Sequence, residues 1–272
     1  MTGGVGVTPV RSEVRAAVRS SAPGPRVSLW AGVIAVTASQ FARVRVSRGP
    51  LLFVATLQSL GLLVLMRGVV HRDDVGTTSA AVAGSTLLVV AFVALNLLAQ
   101  RFGALRASSA LDYYGALPVS PAAVVLGTAV SYAGFAIPGA FLTAVVGLVL
   151  YGLPLSAVWM VLPAAVAAAL ALSGVGAWIG LAFPRPELAT VAGQLAMTAF
   201  LFLGIIAPSH FPAVVRAVRD LVPGMLAVDA LARSFRPDPD WAGITARLVA
   251  SAAYGALALV AAGRAFRRAI DR

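Results

Sequence analysis

Apolar positions in this chain come in long blocks, not narrow stripes, and short polar or proline-rich clusters cut the blocks apart. An unbroken apolar run of about 20 residues matches one helix crossing a hydrocarbon core of about 30 Å. Read this way, the pattern predicts spans at about 50–70, 79–100, 121–150, 156–183, 186–206 and 241–263. Gly49-Pro50 opens the first, and Arg101 closes the second. Between Asp112 and Arg185 no charge occurs over roughly 70 residues, which at about 1.5 Å per helical residue is far more than one crossing needs. That stretch is therefore a hairpin, with Tyr151-Gly152-Leu153-Pro154 as the breaker near its middle. Pro184-Arg185-Pro186-Glu187 reads as a tight turn with Pro186 in the first turn of the fifth span.

Three stretches do not read as spans. Residues 27–42 are uncharged but number only about 16, short of the roughly 20 a crossing needs, and Trp30, Ile34, Thr37 and Phe41 share one helical face. They are expected as an elbow helix at the membrane interface. A cleaved signal peptide with the same core is disfavoured, because Arg43, Arg45, Arg48 and a span follow at once. Residues 1–26 form a Gly, Ser and Pro-punctuated tail. In it Val10, Val14, Val18 and Arg11, Arg15, Arg19 repeat every four residues, either as a solvated tail or as a helix on anionic headgroups. Between spans five and six, Pro208, Pro212, Pro223 and Pro237 break the chain. Residues 213–222 and 225–235 there predict two short amphipathic helices around Pro223-Gly224. Irregular backbone is not tolerated against lipid, so this pair belongs at the outer surface or inside only where other helices cover it.

Composition makes the membrane reading firm. The 272 residues are 60% hydrophobic and 11% charged, with mean hydropathy +0.91, whereas a soluble domain is about half apolar and about a quarter charged. The fold class is an all-α integral membrane protein. The net charge of +11 then bears on orientation, not on nucleic acid. With both termini inside, 14 arginines and 4 acids face inward against 7 and 6 outward, as the positive-inside rule requires.

The remaining chemistry mostly narrows the function. Every basic residue is arginine, and a P-loop requires a lysine on the nucleotide phosphates, so this chain is not its own P-loop ATPase. Cysteine is absent, and His71 and His210 lack metal-ligand spacing. No catalytic, cofactor or metal site is expected. There is no G-x-S-x-G and no histidine within a span to serve a hydrolase. No charge falls near the bilayer centre, and Arg67 and Arg247 lie near outer ends, which weakens a secondary transporter. Gln58, Asn96, Gln194 and Tyr254 are the polar side chains within spans, expected to make interhelical hydrogen bonds. Gly176-x-x-x-Gly180, with Gly134 and Gly139 around Pro138, reads as close packing inside the bundle in preference to a dimer interface. A stand-alone scaffold or an unrecognised intramembrane enzyme remains the alternative class.

One polar interruption stands apart: residues 101–127, RFGALRASSALDYYGALPVSPAAVVLG. Ser108 or Ser109 is placed to cap a short helix over 110–114, Gly115 to end it, and Ser120-Pro121 to start the third span. Arg101, Gly103, Leu111, Leu117-Pro118-Val119-Ser120 and Gly127 resemble the loop between the second and third spans of ABC-2 type transporter permeases. Pro223, Asp229-Ala230-Leu231 and Arg233 resemble that family's external helical pair before span six, which caps the translocation path. The resemblance implies a permease with an N-terminal elbow, a cytoplasmic coupling helix and short external helices. It also implies a separate ABC ATP-binding subunit carrying ATP and Mg, a second permease copy, and residence in the cytoplasmic membrane. Leu111, Asp112, Tyr113 and Tyr114 would then be the contact with the ATP-binding subunit. Family members often carry glutamates before the glycine, whereas the acid here, Asp112, follows it.

Overall fold

The structure is a computed structural model that describes residues 27–47, 49–68, 74–108 and 118–270. The basic stripe at 10–19, His71 and the helix expected at 110–114 lie outside the described residues. Among the described residues every regular element is helical. They form α1 (Leu29–Ser47), α2 (Gly49–Met66), α3 (Val75–Ala107), α4 (Pro121–Tyr151), α5 (Leu155–Ala182), α6 (Pro186–Ile205), α7 (Ala213–Leu221), α8 (Met225–Ser234) and α9 (Trp241–Ile270). Six of them, α2 to α6 and α9, are long and apolar enough to cross a membrane.

Helix ends follow local chemistry. Asp74 starts α3 by accepting the amides of Gly76 at 2.9 Å and Thr77 at 3.1 Å. Ser120 starts α4 by accepting Ala123 N at 3.2 Å, with Pro121 in the first turn. Gly152 ends α4 at φ 70°, the left-handed conformation that glycine adopts without a Cβ penalty. Two ends differ from the expectation. Instead of closing near Gln100, α3 continues through Arg101 and Arg106 to Ala107, and α9 continues past Gly263 to Ile270. Arginines stop a crossing without stopping a helix, since their long side chains reach water from the last turns.

α3 runs through the middle of the bundle and is buried along nearly all its length. Helices α6 and α5 approach it through glycine. Gly84 of α3 meets the backbone of Gly204 and Ile205 on α6, and Gly103 meets Ala189 at the other end of the same helix, so α3 and α6 are antiparallel and close throughout. Gly176 and Gly180 of α5 meet Ala94 and Phe102 of α3 in parallel register. The Gly176-x-x-x-Gly180 motif thus packs the bundle's own centre. α9 lies parallel to α5, with Gly255 against Leu170 and Gly174 against Ala258. The residues left outside on α2, α6 and α9, such as Phe53, Leu57, Leu195, Phe202 and Leu257, are exposed and apolar, as lipid-facing positions are.

α1 reaches five residues beyond the expected 27–42 and lies along the first half of α4. Thr37 Oγ1 donates to Gly127 O at 3.2 Å, Ser131 Oγ to Thr37 O at 3.1 Å, and Phe41 stacks on Phe135 at 4.5 Å. α2 follows the second half of α4, where Tyr151 Oη donates to Leu63 O at 2.9 Å.

Candidate functional site

Three polar arrangements interrupt this apolar bundle, one at each end and one within it. The end carrying Arg101, Arg106, Arg185, Arg264, Arg267 and Arg268 is called the basic end below.

At the basic end the four expected contact residues, Leu111, Asp112, Tyr113 and Tyr114, lie outside the described residues. Their flanks are well defined. Ser108 follows the last turn of α3, its hydroxyl donating to Ala104 O at 2.8 Å. Arg106 donates to Leu181 O, one of the last carbonyls of α5, where helix-end carbonyls lack internal partners and attract cations. Gly103 packs on Ala189 and Pro186, so the α5–α6 turn rests on the same turn of α3. On the far side of the 109–117 segment, Pro118 O accepts Val27 N at 3.2 Å. The residues flanking 109–117 are thus tied at one side to α5 and α6 and at the other to the residue just ahead of α1.

Within the bundle, α3 opens into a π-helical turn over Phe92–Leu97. Such turns leave carbonyls displaced and are often found at functional positions. Here glycines on two neighbours make room for it: Gly176 against Ala94 O, and Gly193 against Leu95 O. Asn96 on that turn donates to Gln194 Oε1 at 2.9 Å and accepts Gln100 Nε2 at 2.7 Å. The sequence placed Asn96 and Gln194 as interhelical bonding residues, and the structure joins them to each other across α3 and α6. Gln100 escaped notice, although its i, i+4 spacing from Asn96 was the available signal. Gln58 and Tyr254 differ: both are exposed on the outer faces of α2 and α9.

At the end opposite the basic one, the two short helices expected there are α7 and α8. α8 is almost fully buried, packed among α3, α5 and α9. Gly224 precedes it at φ 93°, where its lack of a side chain lets Leu172 and Phe200 close over the turn. Arg219 of α7 is fully buried. Its Nη1 and Nη2 donate to Asp229 Oδ2 at 2.9 Å and Oδ1 at 2.7 Å, and its Nε donates to Leu203 O at 2.8 Å. This fork joins α7, α8 and the last turn of α6 through one planar group, a geometry lysine cannot copy. Charge counting placed Arg219 only among the outer arginines. The missed signal was its place on a helix whose other face is wholly apolar, ten residues ahead of Asp229.

Comparison with known proteins gives a match to one family model, described as ABC-2 type transporter, over residues 32–235. That range takes in α1 to α8, including the 101–127 stretch and the Arg219–Asp229 pair. A search of curated proteins returned no match.

Proposed function

This chain belongs to the ABC-2 type transporter family, and on that premise we propose that it is the membrane permease subunit of an ATP-driven exporter. The match over three quarters of the chain, running unbroken through both segments that resemble the family, carries this reading. A separate ATP-binding subunit holds ATP and Mg, since the chain has no lysine for a P-loop. Two permease copies and two ATP-binding subunits make the working unit. The basic end faces the cytoplasm, which puts both termini there and the protein in the cytoplasmic membrane.

The joint with the ATP-binding subunit is the segment between α3 and α4. Leu111 and Tyr113 or Tyr114 supply the apolar anchors, and Asp112 meets a basic or amide group. The anchoring of its flanks supports that role. A push that arrives at these flanks is passed to α5 through Arg106, to α6 through Gly103 and to α1 through Pro118.

Mild-detergent capture of the full chain from its host tests the reading, with recovery of a P-loop ATPase as the expected result. Leu111→Ala, or Tyr113→Ala with Tyr114→Ala, is expected to leave expression and oligomeric size unchanged while weakening that association by about 1–4 kcal/mol. If these variants bind the ATPase as wild type does, the joint lies elsewhere. If no ATPase is recovered with the wild-type chain, the exporter reading itself falls.

A further inference from the structure

α9 is longer than a crossing requires. It starts at Trp241, which stacks on Trp159 of α5 at 5.7 Å, and paired tryptophans of this kind belong at a membrane–water boundary. Counted from there, about 20 residues at about 1.5 Å each complete the hydrocarbon core near Val260. The helix nevertheless runs on to Ile270. Its outer face changes character at that depth. Leu257 and Val260 are 69% and 50% exposed, and seven residues further along the same two arcs stand Arg264 and Arg267, with Arg268 one turn beyond Arg264. All three arginines are exposed. Phe266, on the side opposite Arg264 and Arg268, is buried and meets Phe102 of α3 edge-on at 6.1 Å. The extension is thus braced on its inner side, and its outer side is a fixed basic stripe.

The stripe lacks a counter-charge. Among the described residues no carboxylate forms an ion pair with Arg264, Arg267 or Arg268, and positions 264–272 of the sequence carry four arginines against one acid, Asp271. A second copy does not supply the missing charge. Two copies inserted in the same direction are related by a twofold axis along the membrane normal, so a seam on the outer face of α9 would set residues of equal depth against each other. Arginine would then meet arginine, and like charges brought together oppose association. An acidic protein surface would meet the arginines but leave the apolar turn below them uncovered. A phospholipid with a net negative headgroup matches both parts of the face at once, with phosphate oxygens at the level of Arg264 and acyl chains beside Leu257 and Val260. Arg267 and Arg268, one turn higher, reach back to the same level through their long side chains.

We propose that the extension of α9 is a binding surface for anionic phospholipid, with Arg264 and Arg268 holding the headgroup phosphate, Arg267 flanking it, and Leu257 and Val260 lying along the acyl chains. Guanidinium groups suit this ligand, because their planar donors bind phosphate oxygens in pairs. The occupied surface does more than anchor α9. Phe266 leans on Phe102, one turn before Arg106 in α3, so a headgroup held outside α9 steadies the end of α3 from which the 109–117 segment departs. This inference uses the position of the stripe alone and does not rest on ATP-driven export.

Spin-labelled lipid tests this on the full chain reconstituted in phosphatidylcholine vesicles. Trace phosphatidylglycerol and trace phosphatidylcholine, each labelled on the acyl chain, are compared by the fraction of label that the protein immobilises. The expected result is a severalfold preference for phosphatidylglycerol that weakens as salt is added. Arg264→Gln should lower the preference and Arg264→Gln with Arg268→Gln should abolish it, while Arg185→Gln at the same end keeps it. Equal immobilisation of the two lipids by the wild type would overturn the proposal, as would an undiminished preference in the double variant. An equal loss in Arg185→Gln and Arg264→Gln would overturn it in favour of diffuse charge. Inorganic phosphate that displaces phosphatidylglycerol far more strongly than chloride at equal ionic strength would assign the arginines to a free anion instead. The chain has no cysteine of its own, so a disulfide between copies of Ala261→Cys would make this face a seam and overturn the proposal in favour of a second copy. Gel filtration of each variant confirms that it is folded.

Discussion

Among single residues, Arg219 has the most at stake. Its guanidinium is out of water, so its free energy depends on Asp229 and Leu203 O supplying what hydration no longer does. Arg219→Leu leaves Asp229, whose side chain is only 15% exposed, without its partner. The expected cost is about 3–5 kcal/mol in thermal unfolding of the detergent-solubilised protein. Arg219→Leu combined with Asp229→Leu removes both charges and is expected to recover most of that loss; a double variant no better than the single one would mean the pair was not the source. Asn96 offers a contrast. It makes two neutral hydrogen bonds inside the bundle, each worth about 0.6 kcal/mol in membrane helices, because alternative partners remain. Asn96→Leu should therefore cost about 1 kcal/mol by the same measurement, and far less than Arg219→Leu.

At the scale of elements, packing distance separates glycines that look alike in sequence. Both Gly61 and Gly176 lie inside apolar helices. A methyl group at Gly61 meets nothing within 4 Å, whereas one at Gly176 runs into the Ala94 carbonyl of the π-helical turn. Gly61→Ala is expected to stabilise the protein by about 0.5–1 kcal/mol, since it restricts the unfolded chain without a clash. Gly176→Ala is expected to destabilise it by about 1–3 kcal/mol, because α5 must move away from α3. Thermal midpoints of the two variants, compared with wild type, check the opposite signs. The same contacts explain why α3 tolerates a π turn: glycines on both α5 and α6 leave room for its displaced carbonyls, and Asn96 spends the turn's altered direction on a bond to α6.

For the whole molecule, helix direction alternates through the six spanning helices, with α3, α5 and α9 parallel to one another and antiparallel to α6. Such a bundle places the α2–α3, α4–α5 and α8–α9 connections at one end and the α3–α4 and α5–α6 connections at the other. Charge decides which end is inside. Reporters fused after Asp74, Pro154 and Asp238 are expected to read as external, and those after Arg106, Arg185 and Arg272 as cytoplasmic. A cytoplasmic signal at Asp238 would remove one crossing and undo the arginine asymmetry with it.

The apolar blocks alone determined that this chain is a six-span helical membrane protein, because crossing hydrocarbon imposes a length and a composition that no soluble fold needs. Caps at Ser120 and Gly152 and the break at Pro223-Gly224 were legible for the same kind of reason, since each depends on backbone chemistry within a few residues. The resemblance at 101–127 was legible too, as a local pattern. Tertiary structure alone decided which polar groups are partners and which way α7 turns. Asn96 and Gln194 are 98 residues apart, and nothing local couples them until α3 and α6 lie side by side. Arg219 reads in sequence as one more exposed surface arginine. It becomes the buried centre of a three-element joint only because α8 folds into the bundle and brings Asp229 beneath it, turning the apolar face of α7 outward.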